Sequence, residues 1–281
     1  MQGKTVVITG ATSGIGEVAA CELARQGARI VLIARDRSRG EATVRRLHEI
    51  APTLNHVAHY ANLSRLAEMK RAAETIAGSE ERIDVLINNA GAVFGTRQVT
   101  GDALEMTFAT NHIAYFVVTH LLLERLKATP DSRIVSTASH AHKRAKMDFN
   151  DLQAEKHFSG FGMYDRSKLM NILFTRELAH RLAGTGVTAN CLHPGFVATR
   201  FADEGGGLVL SVVRSAKRFA LTPEEGAKTI VYLASSPEVA SVSGQYFYKC
   251  QQVAPSAEAA NDESARRLWD ISLQLSGLGV V

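Results

Sequence analysis

The sequence predicts an α/β fold, one parallel sheet with helices on both faces, in a single domain over residues 1–281. Three observations predict it. Short β-branched runs alternate with longer segments of helical period along most of the chain. The runs are apolar nearly throughout, as strands covered on both faces require. No Pro/Ser-rich linker or internal repeat divides the alternation, and 281 residues suffice for one large core.

Taken in order, the predicted strands are TVVIT (5–9), RIVLIA (29–34), HVAHYA (56–61), DVLIN (84–88), RIVSTAS (133–139), VTANCLH (187–193) and QYFYK (245–249), about seven in all. The first helix, GEVAACELARQG, stops at Gly27, a residue suited to a helix C-terminus. A last helix is expected over 261–276. Two segments break the alternation. Residues 140–162 are polar and glycine-dotted, and 196–221 carry Gly205-Gly206-Gly207 ahead of an apolar stretch. Loops of that length in a compact domain are usually functional or mobile.

Bulk properties narrow the function. The net charge of +4 is a weak field, and the basic residues are interleaved with acids, as in RDRSRGEATVRR (35–46). This reads as the surface of an enzyme with anionic ligands and not as a nucleic-acid footprint. The N-terminus MQGKTVVITG runs straight into a strand, and no apolar run reaches the roughly 18 residues of a membrane span. A cytoplasmic protein without a membrane span is expected. Cys21, Cys191 and Cys250 form no CxxC and read as core residues in a reducing compartment. His140 and His142 hint at a metal pair, but no carboxylate or cysteine completes a ligand spacing, so no metal is expected.

The first strand runs into TGATSGIGEVA (9–19), with Gly10, Gly14 and Gly16 at the strand-to-helix turn. Glycine permits the tight turn, lets amides approach a pyrophosphate, and allows close helix–sheet packing. The helix start adds unsatisfied donors, and Thr12 and Ser13 add hydroxyls beside Ile15. Dinucleotide binding is the expectation. Farther on, MYDRSK (163–168) places Tyr164 and Lys168 one helical turn apart. Alone, that pair would be an aromatic residue beside a solvated lysine.

Together these motifs resemble the short-chain dehydrogenase/reductase family. The matching residues are Thr9, Gly10, Gly14 and Gly16; Asn88, Asn89, Ala90 and Gly91; Asn111; Ser139; Tyr164 and Lys168; and His193-Pro194-Gly195-Phe196-Val197-Ala198-Thr199. The stretches DFNDLQAEKHFSGFGMYDRSK, LFTRELAHRLAGTGVTANCLHPG and SGQYFYKC look closer still to its retinol-dehydrogenase-like branch. The resemblance implies a Rossmann-type doubly wound sheet of strand order 3-2-1-4-5-6-7. It implies a nicotinamide cofactor held by Gly10, Thr12, Ser13, Gly14, Ile15, Gly16, Asn89, Ala90, Gly91, Tyr164, Lys168, Pro194, Gly195, Val197 and Thr199. It also implies assembly as a homodimer or homotetramer through the helices preceding and containing the tyrosine.

After the second strand the chain reads Ala34-Arg35, where NAD-preferring relatives carry an acid for the ribose 2′-OH. A guanidinium there can grip a 2′-phosphate, so NADP(H) is expected over NAD(H), with Arg37 or Arg39 adding positive potential. Alternatively, Arg35 is a solvated helix-start residue and the cofactor is chosen elsewhere. Asn62-Leu63 stands where the family often has an adenine-binding Asp-Leu pair, and the direction of its hydrogen bond is open.

In the chemistry that the resemblance implies, Tyr164 is the general acid/base. Lys168 beside a positively charged nicotinamide lowers the phenol pKa and binds the ribose. Ser139 at the strand end binds the substrate oxygen, whereas Ser136 faces the other side. Asn111 either holds a proton-relay water or is a polar residue satisfied inside its helix. Phe196, Phe201 and Leu208 are expected to line an apolar substrate pocket under 196–221, although the apolar residues of that segment could pack a surface helix instead. The resulting expectation is an NADP(H)-dependent oxidoreductase interconverting a lipophilic alcohol and its aldehyde or ketone. The alternative is a catalytically silent NADPH-sensing protein of the same fold.

Overall fold

The computed structural model describes residues 1–197 and 221–279. Thr199, Phe201, Leu208 and most of the predicted substrate segment lie outside the described residues. The strands are β1 (Thr5–Thr9), β2 (Arg29–Ala34), β3 (Val57–Tyr60), β4 (Val85–Asn88), β5 (Arg133–Thr137), β6 (Thr188–Leu192), β7 (Tyr246–Tyr248) and β8 (Gln251–Gln252). They form one sheet in the order β3-β2-β1-β4-β5-β6-β7-β8, parallel except for the last pair.

Strand alternation sorts the core into two layers. Val6 and Ile8 of β1 face one side and Val7 the other. The first layer holds α1 (Gly14–Arg25), Leu47 of α2 (Arg37–Ile50), and α7 (Pro223–Ser235). The second holds α3 (Leu66–Ser79), α5 (Ala114–Lys127), α6 (Gly160–Arg181) and α8 (Asp262–Ser276). Trp269 of α8 stacks on Phe174 of α6 and meets Phe116 of α5 edge-on, so the C-terminal helix covers part of α6.

The eighth strand corrects the expected seven. QYFYK does not end the sheet: Lys249 and Cys250 both take positive φ (49° and 60°) and turn the chain back as a two-residue hairpin. Such turns are ordinarily signalled by Asn-Gly or Asp-Gly, and Lys-Cys gives no such signal. Cys250 is consequently half-buried at the turn, while Cys21 and Cys191 are core residues. The stretch before β5 also differs from a uniform helix. Met106–Phe108 (α4) passes through a π-turn, Ala109–Ile113, before α5. By length and composition alone, Met106–Lys127 could cross a membrane, but 78% of its most apolar window is buried inside the fold.

Candidate active site

A cavity of about 730 Å³ opens along the carboxyl ends of β1, β2, β4 and β5, where open α/β sheets bind ligands. The loop after β1 forms one end. Gly10 has φ +68°, and a Cβ there would sit 2.7 Å from the Ala90 Cα. A Cβ on Gly16 would come within 2.4 Å of Asn89 Nδ2. Gly16 therefore packs the loop and does not line the cavity, whereas Gly10, Thr12, Ser13, Gly14 and Ile15 do. Ser13 is the N-cap of α1, yet its hydroxyl makes no capping hydrogen bond. That hydroxyl and the first amides of the helix remain available to an anion.

Asn89 performs a structural task alongside any ligand contact. Its Nδ2 donates to the carbonyls of Thr9 (3.2 Å) and Gly10 (3.1 Å), and Thr9 Oγ1 accepts from the amides of Asn89 and Ala90. This clasp sets the width of the glycine loop. Ala90 and Gly91 complete the wall.

At the end of β2, Arg35 is exposed on the cavity rim with Asp36 and Arg39. Asp36 is committed elsewhere: its carboxylate caps α2 by accepting from Arg39 N at 2.8 Å. Arg37 lies over the Tyr60 ring at 4.4 Å and pairs with Glu41, so Arg39 is the second cation on the cavity. Asn62 has both lone pairs of Oδ1 engaged, by Ser64 N (3.1 Å) and Ser64 Oγ (2.9 Å). What it offers the cavity, beside Leu63, is the Nδ2 donor.

The reacting end lies where β5 gives out. Ser139 caps a 3₁₀ turn, His140–Arg144, with its Oγ accepting from Ala141 N at 3.2 Å. Its side chain also shares a hydrogen bond with Tyr164. Ser136 is buried in β5, as its alternation predicts. Lys168, one turn along α6, is 3% exposed; its Nζ donates to the Thr137 carbonyl at 3.0 Å and lies 5.7 Å from the Tyr164 ring. A Cβ on Gly91 would be 3.4 Å from both Lys168 Nζ and Asn111 Oδ1, which therefore flank that glycine. Asn111 itself is fully buried in the π-turn. Its Oδ1 accepts from Ala92 N (2.8 Å), and its Nδ2 donates to Ala92 O (2.9 Å) and Ser167 Oγ (3.0 Å).

Burial shifts both Tyr164 and Lys168. Burial pushes Tyr164 up to about 12; the Ser139 hydrogen bond and Arg144 oppose this, and Asp165 adds to it. Burial alone brings Lys168 down to about 7. Among the chain's own groups, desolvation outweighs the lysine.

Pro194, Gly195, Phe196 and Val197 form the far wall. Phe196 is 45% exposed and also borders a second cavity of about 420 Å³, lined with His140, His193, Tyr246 and Tyr248. His193 stacks on Tyr248 at 4.2 Å and accepts from Gly195 N, a role in shaping the turn. Thr137 lines the cavity without any sequence motif, its carbonyl accepting from Lys168 Nζ and Asn171 Nδ2. No cluster of metal-ligating side chains occurs among the described residues.

The sequence model of the short chain dehydrogenase family matches residues 4–206. Human retinol dehydrogenase 13 is 42% identical over 284 residues, covering 98% of this chain and 85% of the relative. Human retinol dehydrogenase 14 is 42% identical over 299 residues, covering 99% and 88%. Among solved structures, an uncharacterized protein from Mycobacterium paratuberculosis superposes with TM-score 0.79 at 32% identity, covering 99% of this chain and 94% of that one. A short chain dehydrogenase from Burkholderia cenocepacia J2315, in complex with NADP, superposes with TM-score 0.70 at 26% identity, covering 88% and 96%.

Proposed function

This chain belongs to the short-chain dehydrogenase family, in its retinol-dehydrogenase-like branch, and on that premise we propose that it is an NADP(H)-dependent oxidoreductase interconverting a lipophilic alcohol and its aldehyde or ketone. Oxidoreduction between alcohol and carbonyl comes with the family, as does a nicotinamide cofactor. The observation that carries the finer reading is the Ser139–Tyr164 hydrogen bond, formed on the same cavity as the glycine loop.

The residues fit the cofactor. Gly10 and Gly14 line the cavity at the loop, the Ser13 hydroxyl and helix amides suit a pyrophosphate, and Arg35 with Arg39 suits a 2′-phosphate. Asn62 Nδ2 would donate to a ring nitrogen of the adenine. When bound there, the nicotinamide would supply the hydride for the carbonyl carbon. Ser139 orients the carbonyl oxygen, and Tyr164 donates it a proton. The same phenol would act as the acid in reduction and, once deprotonated, as the base in oxidation. Lys168, one turn along the helix with its Nζ on the Thr137 carbonyl, would bind the nicotinamide ribose. Asn111, on the other side of Gly91, holds Ala92 and the tyrosine helix in register. Phe196 gives the substrate side an apolar rim, and we place the reaction in the cytoplasm.

A panel of aldehydes and ketones graded by chain length, monitored by NADPH absorbance, tests this reading. Turnover that rises with lipophilicity supports it. Tight NADPH binding with no turnover across the panel supports the silent sensor instead.

A further inference from the structure

Between Tyr164 and Lys168 stand Asp165, Arg166 and Ser167, and each has a definite partner. Arg166 donates to the Asp151 carbonyl at 2.6 Å. Ser167 Oγ donates to the Tyr164 carbonyl at 2.7 Å and accepts from Asn111. Asp165 is gripped by Arg144 through two parallel hydrogen bonds, Nε to Oδ2 at 2.9 Å and Nη2 to Oδ1 at 2.8 Å. Asp165 is buried, its side chain 9% exposed, whereas the Arg144 side chain is mostly in solvent.

Arg144 is the last residue of the 3₁₀ turn that Ser139 begins. His142, fully buried in the middle of that turn, donates from Nδ1 to the Ser139 carbonyl (2.7 Å) and accepts at Nε2 from Ser256 N (3.1 Å). The turn is thereby fixed at its start, centre and end. The Ser139–Tyr164 hydrogen bond closes the circuit from the front, and Arg144–Asp165 closes it from behind.

We propose that the Arg144–Asp165 pair is a positioning device for the acid/base tyrosine: it ties the Ser139 turn to the tyrosine helix and neutralises the buried carboxylate that follows Tyr164 in the chain. This rests on the oxidoreductase reading. A buried carboxylate next to a phenol favours the protonated form, and a guanidinium on that carboxylate removes most of the effect. The other titratable groups facing Tyr164 are Lys168 on its own helix and Tyr115 of α5. Neither is altered by changing the pair.

The test is the pH–rate midpoint for oxidation of a lipophilic alcohol, in which the phenolate is the base. Arg144→Gln is expected to raise that midpoint by about half a unit to one unit, and Asp165→Asn to lower it by a similar amount. The double variant should return toward the parent, and Arg144→Lys should restore part of the shift. A purely packing role would lower kcat at every pH without moving the midpoint. Opposite shifts support the device; unmoved midpoints, or shifts of one sign, overturn it. Should Arg144→Gln fail to fold, the isosteric Asp165→Asn decides alone by whether its midpoint falls. Tyr164→Phe in the same assay keeps the two claims apart. Turnover retained there removes the acid/base reading, whereas a dead Tyr164→Phe with unmoved midpoints removes only the clamp.

Discussion

Arg35 and Asp36 are neighbours at the end of β2 with opposite charges and separate tasks. The carboxylate caps α2, and the guanidinium lies on the rim of the cavity. Arg35→Ala is expected to raise KM for NADPH by about tenfold or more while leaving that for NADH nearly unchanged, consistent with the loss of one charge-assisted pair. Steady-state kinetics with both cofactors checks this, and equal effects would refute the 2′-phosphate role. At this scale, the motif residues were legible because their chemistry is local: glycines at a turn, Tyr and Lys one turn apart. Arg144 and Asp165 were not, because they are 21 residues apart and only the 3₁₀ turn brings them together.

The glycine loop closes one end of the cavity. At Gly10, an L-residue would meet both a left-handed backbone (φ +68°) and a Cβ 2.7 Å from the Ala90 backbone. Gly10→Ala is expected to cost at least about 2 kcal/mol and to weaken NADPH binding together with stability. Thermal melts with and without NADPH read both effects; an unchanged melting temperature would mean the loop yields freely. Elements with a strong period or glycine signal were foreseen close to their observed bounds, as with β1, β2 and the C-terminal helix. The π-turn at Asn111 and the Lys249-Cys250 hairpin were not, because their backbone geometry follows from tertiary packing and leaves no local signal.

Across the whole molecule, two core layers sandwich the sheet and enclose histidines that are held neutral. Burial lowers His112 to about 3, and lowers His56 and His193 to about 4, from a usual 6.5. Their folded pKa values lie below the unfolded ones, so the unfolded chain takes up more protons in acid. Stability is thus fully present above about pH 6.5 and falls as pH drops through 6.5 toward 4. Melting temperatures recorded across that window should decline steadily; a flat profile would show that these imidazoles protonate without unfolding the chain. The packing of α8 on α6 also bears on assembly, since any dimer built on α6 must use a face that Trp269 leaves open. The most direct test of the account is a paired measurement on Tyr164→Phe: NADPH-dependent reduction of a lipophilic aldehyde alongside NADPH affinity. The account predicts a loss of turnover of about a thousandfold with affinity within a few-fold of the parent. Turnover within tenfold of the parent would contradict it.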